Sequence, residues 1–393
     1  MLENHNIIYF GPEPWEGLWR NRHHILSLLA NKNKVLYVEP QMRLRPAIRA
    51  IWNERSLNFK WPLWKEVQKN LFVFYMPRLL SVKSNRVAGK FIRSIRDYLL
   101  KKCLRKLKMD DPIVWFARHN MTDLMGVCRE VIKIYHVVDE YAEYGNKSTE
   151  DKQRIFRTER KMLSLVDLVI VVSERLLEAK KRYNASTYLV PNAVSFEKFK
   201  VAMSNDTPPP FDVATLPKPI IGYSGLISGR LDLDLLYEIA MMYPERSLVL
   251  IGVVADQYCE TAMDKLRRLT NVHFLGFKSI NQIPYYIKSF DVCLMPYRVG
   301  EEANSIDPLK LYDYLACGKP VISVNIPSVQ PFADVLYVAN DKQTFIKCIN
   351  ESLNENGRYA SKRVDIAKQN DWKARVEQIS TIINKNWLKT DSK

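Results

Sequence analysis

Lys310 and Asp313 stand three positions apart in a stretch whose order of residue types suits a phosphate-bearing ligand. It runs Asn304-Ser-Ile-Asp-Pro-Leu-Lys-Leu-Tyr-Asp-Tyr-Leu-Ala-Cys-Gly-Lys-Pro-Val-Ile-Ser-Val324. Ser305 to Pro308 read as a turn, and the helix after it begins with unpaired N–H groups whose dipole favours an anion. The three-residue spacing puts Lys310 and Asp313 on one helix face. Gly318 reads as the helix stop, Pro320 forbids continuation, and Val321–Val324 reads as a buried strand. A cation beside an anion cradle, with a carboxylate able to accept two hydroxyls, is what a nucleotide-sugar needs: diphosphate to the lysine, ribose to the acid. Spacing alone fits an ordinary helix with a surface lysine and aspartate equally well.

The elements that would position this helix follow an α/β rhythm. Short apolar runs at 6–10, 35–38, 71–75, 113–116, 132–137, 168–172 and 188–190 alternate with longer helical patterns, as in a parallel sheet with crossovers. The pattern stops between Phe196 and Lys218, where Asp206-Thr-Pro-Pro-Pro-Phe is stiff and strandless, and a domain linker is expected there. It restarts at 219–224, 247–252, 272–275, 292–295 and 321–324. The expected organisation is a first domain over 1–195, a linker over 196–217, a second domain over 218–371, and a C-terminal helix over 372–393 that crosses back to the first. Open α/β sheets bind ligands outside the C-terminal strand ends, here the cleft between the two domains.

The 393 residues suffice for two ordinary domains, and 47% hydrophobic residues supply their cores. Six scattered cysteines, with no CxxC pair, fit reduced thiols and argue against a zinc site. The N-terminus lacks a basic leader pattern, and no window reaches the roughly 18 apolar residues of a spanning helix. A soluble protein, or one held at a membrane surface, is expected. The net charge of +16 is concentrated between Arg20 and Asp110, which holds 22 Lys and Arg against five acids. Trp52, Trp61 and Trp64 are interleaved with cations there, and Phe91, Ile95, Tyr98, Leu99 and Leu107 recur at roughly helical spacing. Tryptophan beside Lys and Arg suits the headgroup zone of an anionic membrane. A nucleic-acid backbone is the rival partner, and a solvated charge-rich helix pair the bland reading.

These residues resemble the GT-B fold glycosyltransferases, two-domain α/β enzymes with Rossmann-like domains whose parallel sheets face an interdomain cleft. The likeness rests on Ile221–Arg230, Val272–Gly276, Asp291–Tyr297 and the Asn304–Val321 segment, with Asp167–Ser173 and Val190–Val194 in the first half. Many members of glycosyltransferase family 4 carry two glutamates eight positions apart where this chain has Ser305 and Asp313. The remaining pattern is similar to bacterial surface-polysaccharide transferases of the teichuronic acid biosynthesis type and, more distantly, to the xanthan glucuronosyltransferase. Loss of the first glutamate shifts the expected stereochemistry from retention towards inversion.

The resemblance implies donor contacts at Arg230, Phe277, Lys278, Tyr297, Asp307, Pro308, Leu309, Lys310 and Asp313. Arg230 and Lys310 would offset the diphosphate, the backbone of 307–309 would lie along it, Asp313 would take the ribose, and Phe277, Lys278 and Tyr297 would flank the base. Trp52, Trp61 and Trp64 would face the acceptor or membrane. No cofactor or metal is expected; Asp232-Leu-Asp234 reads as helix-start acids. An inverting transfer needs a base, and Asp139, where the strand 132–137 runs into a loop, is the candidate, as in the xanthan enzyme. A helix-capping role is the alternative for Asp139, and Glu140 the alternative base. His23 and His24 follow the first strand and rank below Asp139.

The expected partners are therefore a UDP-sugar or other nucleotide-sugar, a lipid-linked saccharide acceptor and an anionic membrane surface, with no nucleic acid. The expected location is the cytoplasm, at the inner face of the cell membrane. Neither glycine cluster has the GxGxxG spacing of a dehydrogenase. An epimerase of the same fold, or a non-catalytic transferase-like protein binding membrane or nucleic acid, stays as an alternative.

Overall fold

The computed structural model describes residues 1–40, 63–75, 86–145, 147–204, 207–255 and 260–390. It divides into two α/β units: Met1–Gly17, Arg22–Val190 and Val376–Lys393 form the first, and Leu18–Asn21 and Pro191–Arg375 the second.

The first unit contains β1 (Asn6–Phe10), β2 (Lys34–Val38), β3 (Trp64–Gln68), β4 (Leu71–Phe74), β5 (Ile113–Phe116), β6 (Ile132–Val137), β7 (Leu168–Val171) and β8 (Thr187–Leu189), in the order β3-β4-β2-β1-β5-β6-β7-β8. Its central strands are buried along almost their whole length, because helices cover both faces of a parallel sheet. The chain moves outward from β1 in both directions, so the loops after β1 and β5 flank a topological switch point.

An antiparallel edge strand escaped the sequence reading. β3 pairs with β4 through a turn at Asn70, whose φ is 63°, and four of its five residues are exposed. Polar alternation at a sheet edge carries little apolar signal. Trp64, expected among the membrane-facing tryptophans, begins this strand and packs partly buried against the first unit's core. Trp52 and Trp61 lie outside the described residues.

The second unit contains β9 (Ile220–Ser224), β10 (Ser247–Ile251), β11 (Val272–Gly276), β12 (Val292–Met295), β13 (Val321–Val324) and β14 (Tyr337–Ala339), all parallel, in the order β11-β10-β9-β12-β13-β14. Its switch point lies between β9 and β12. The stretch 196–217 is not a bare linker: helices Phe196–Ala202 and Phe211–Ala214 occur in it, and Phe196, Phe199 and Val213 enter the second unit's core. The boundary between the units falls at Val190/Pro191, and the last helix, Trp372–Thr390, joins the first unit from Val376 onward.

Candidate active site

In the second unit, the loops after β9 and β12 and the helix Leu309–Ala316 bring the expected donor residues together. The helix begins after Pro308, which offers no side-chain cap to its first amides. Gly318, at φ 64°, closes it: the Gly318 and Lys319 N–H groups donate to Leu315 and Tyr314 carbonyls. Lys310 leans across this arrangement. Its ammonium donates to the Tyr297 hydroxyl at 2.6 Å and lies 5.1 Å from the centre of the Tyr223 ring.

Two glycines make room for it. A Cβ on Gly225, where φ is 150°, would meet Lys310 Cε at 2.8 Å, and a Cβ on Gly252 would lie 1.8 Å from the Gly225 carbonyl oxygen. The two strand ends approach each other backbone to backbone, and the lysine fills the space left above.

Charges of both signs act on Lys310. Arg230, after β9, is ion-paired through Nε to Glu302. Burial and the positive fields of Arg230 and Arg20 push the Lys310 pKa down to about 7, against the pull of Asp313. Burial raises the Asp313 carboxyl to about 7, and Lys310 opposes that rise. No hydrogen bond to the Asp313 carboxylate occurs among the described residues. Arg20 belongs to the short segment Leu18–Asn21 that groups with the second unit. Beside it, Trp19 lies under the Lys198 ammonium, 5.1 Å from the ring centre. Sequence reading singled out the histidines after this segment and missed Arg20, because nothing local says that the four residues Leu18–Asn21 join another unit.

Other expected donor residues are placed less uniformly. Asp307 is buried: its carboxylate accepts from Asn192 N at 2.6 Å and Tyr312 Oη at 3.0 Å, and its carbonyl from Asn192 Nδ2. Burial moves its pKa up to about 6. The Asp307 side chain and carbonyl thus brace the loop. Phe277 is exposed beyond Gly276, whereas Lys278 is held by Asp212 at 2.7 Å and lies over Tyr286. Asp232 caps the helix Leu233–Met242 by accepting from Leu235 N at 3.0 Å.

In the first unit, Asp139 lies in the loop after β6, beyond the carboxyl end of the sheet. Its neighbour Glu140 is ion-paired through Oε2 to Lys180. Lys180 donates to Glu140 at 2.6 Å and to Glu159 at 2.8 Å, and Tyr135 Oη donates to Glu159 at 3.0 Å. Burial lifts the Glu140 pKa, and Lys180 opposes the lift. His23 is fully buried, donating from Nε2 to the Trp15 carbonyl and packing on the Trp15 ring, and His24 is buried too. His23 thus pins the loop after β1.

Comparison with known proteins adds to this geometry. A family model described as Glycosyl transferases group 1 matches residues 218–355, which include Arg230, Lys310 and Asp313. Over 247 residues the chain is 27% identical to the putative teichuronic acid biosynthesis glycosyltransferase TuaH of Bacillus subtilis, a match covering 60% of this chain and 61% of that protein. The sucrose-phosphate synthase of Thermosynechococcus elongatus superposes with a TM-score of 0.70 at 17% identity, over 97% of this chain and 99% of that one. Anabaena HepE, solved in complex with UDP and glucose, gives 0.67 at 15% identity, over 97% and 100%. Residues 218–355 are thus similar to the glycosyl transferases group 1 family, and the chain has the GT-B fold.

Proposed function

We propose that the chain transfers a glycosyl group from a UDP-sugar to a saccharide acceptor in cell-surface polysaccharide synthesis, with inversion. The observation that carries this reading is Lys310. A lysine held at a helix start between two aromatic rings, with Arg230 and Arg20 in range and Asp313 one turn on, suits a diphosphate. Nearby HepE was solved with UDP and glucose, and TuaH is named for teichuronic acid biosynthesis.

In this reading Asp139 accepts the proton of the acceptor hydroxyl as its oxygen bonds to the anomeric carbon. The bond from that carbon to the diphosphate breaks, and UDP leaves with the electron pair. Lys310, Arg230 and the first amides of the helix Leu309–Ala316 stabilise the charge that develops there. These groups supply the electrostatic help without a resident cofactor. Asp313 accepts the ribose hydroxyls.

The acceptor is lipid-linked in this reading, and the protein works at the cytoplasmic face of an anionic membrane. No helix among the described residues is long and apolar enough to cross one. The helix Arg86–Leu107 supports surface binding: Phe91 and Tyr98 are 68% and 57% exposed, among exposed Lys90, Arg93, Lys101, Lys102, Arg105 and Lys106.

Calorimetric titration with UDP, paired with turnover assays over a panel of UDP-sugars, tests the proposal. Lys310→Ala is expected to weaken UDP binding at least tenfold, about the value of one charge-assisted hydrogen bond. Asp139→Asn is expected to keep UDP binding and lose turnover. An unaltered UDP affinity in Lys310→Ala would refute the donor site, and full turnover in Asp139→Asn would refute the base.

A further inference from the structure

The first unit's switch point carries a cation that the donor reading does not use. Arg118 follows β5 by two residues, beside the end of β1, with the Ala117 N–H donating to the Phe10 carbonyl at 3.3 Å. Its guanidinium lies over the Tyr141 ring, 4.5 Å from the centre. Tyr141 is itself fixed: it is buried and donates from Oη to the Ala117 carbonyl at 3.1 Å. The stacking face of the arginine is therefore anchored to its own loop, and its planar fork is held in one orientation.

Among the described residues the fork has no side-chain hydrogen-bond or ion-pair partner, and Arg118 is partly buried. Two carboxylates of the first unit pair with other cations: Glu140 with Lys180, and Glu13 with Arg22 at 2.9 Å. Asp139, in the next loop, shares the Tyr141 neighbourhood. A pre-oriented arginine at the carboxyl end of a parallel sheet, one loop from the candidate base, suits an oxyanion that presents two oxygens to its fork.

We propose that Arg118 binds an anionic group of the acceptor, a carboxylate or phosphate lying next to the hydroxyl that is glycosylated. This inference rests on the transferase reading above and names the acceptor's chemical class. A uronate ring and a lipid phosphate share that chemistry.

The test titrates the full-length protein, with and without UDP, with p-nitrophenyl glucuronide, p-nitrophenyl phosphate and the neutral p-nitrophenyl glucoside. One anionic probe is expected to bind at least tenfold more tightly than the glucoside. Arg118→Gln should erase that preference, and Arg118→Lys, which keeps charge but not the fork, should retain part of it. Preference for the glucuronide assigns the source to a uronate, and preference for the phosphate to a lipid headgroup. Equal binding of all three probes, no binding of any, or a preference that survives in Arg118→Gln overturns the proposal. Failure of the wild type to bind UDP overturns the donor reading separately, because Arg118 lies outside the unit that carries Lys310.

Discussion

Lys310 gives its hydrogen bond to Tyr297, 13 positions earlier in the chain, at 2.6 Å, and the same ammonium lies 4.9 Å from the centre of that tyrosine's ring. A phenol and two aromatic faces solvate a cation less well than water or a carboxylate does, and two arginines add repulsion. The folded lysine, with a pKa of about 7 against 10.5 unfolded, binds fewer protons than the unfolded chain between those values. Stability therefore rises with pH across that window, and the penalty is complete below pH 7. A diphosphate reverses the balance by favouring the charged amine. UDP binding is expected to take up a proton near neutrality and to weaken progressively as pH rises from 7 to 9. Calorimetry in buffers of different ionisation enthalpy reads the proton uptake directly, and Lys310→Met should abolish it.

The glycine pair under this lysine separates two kinds of cost. In Gly225→Ala the new methyl meets a flexible lysine end, although φ of 150° adds backbone strain. UDP affinity should fall with a stability loss of about 1–3 kcal/mol. In Gly252→Ala the methyl meets the Gly225 carbonyl, which cannot move without displacing β9. Urea unfolding should show the larger loss in Gly252→Ala, because its clash is with backbone.

The helix bearing Lys310 and Asp313 was legible in sequence because its signals are local: a proline before it, a glycine at positive φ after it and an apolar run beyond. The central strands were legible for the same reason, being buried on both faces and so almost wholly apolar. What sequence could not show depends on distant partners. Arg20 reaches the Lys310 neighbourhood although 290 positions separate them, and Asp307 turns inward to Asn192 rather than to a ligand. The helix Phe196–Ala202 was hidden by the prolines that follow, though Phe196, Phe199 and Ala202 already marked an apolar face. Arg118 gave no signal, since its meaning lies in a tyrosine 23 positions later.

Beneath the candidate base, Lys180 is nearly inaccessible and bridges Glu140 and Glu159. Burial works against its charge, and the two carboxylates outweigh that, holding its pKa above the ordinary value. Lys180→Met leaves two carboxylates without their cation, a change expected to cost about 3–5 kcal/mol. The uncompensated acids then prefer their protonated forms in the folded state, so the variant's deficit should grow as pH rises from 5 to 8. Urea melts at the two ends of that range measure the difference. A deficit independent of pH would mean that packing, rather than charge, dominates at this position.

The helix Arg86–Leu107 divides cleanly into two faces. Arg96, Leu100, Cys103 and Leu104 point inward, and Arg96 is tied to Asp97 at 2.8 Å and Asp123 at 2.9 Å. Phe91 and Tyr98, seven residues apart and hence nearly in line, point outward with lysines and arginines around them. Exposed aromatics on a soluble helix gain nothing from water, whereas at an anionic bilayer they enter the headgroup region while each nearby cation adds ~1 kcal/mol. The full chain should therefore co-sediment with phosphatidylglycerol vesicles and not with phosphatidylcholine alone. Molar salt, with a Debye length of about 3 Å, should release most of it. Reversing Lys101 and Lys102 to glutamate should lower partitioning at least tenfold, and Phe91→Ser with Tyr98→Ser should weaken the binding that persists in salt. Equal binding of the wild type and the charge-reversed protein would show that this face does not meet the membrane.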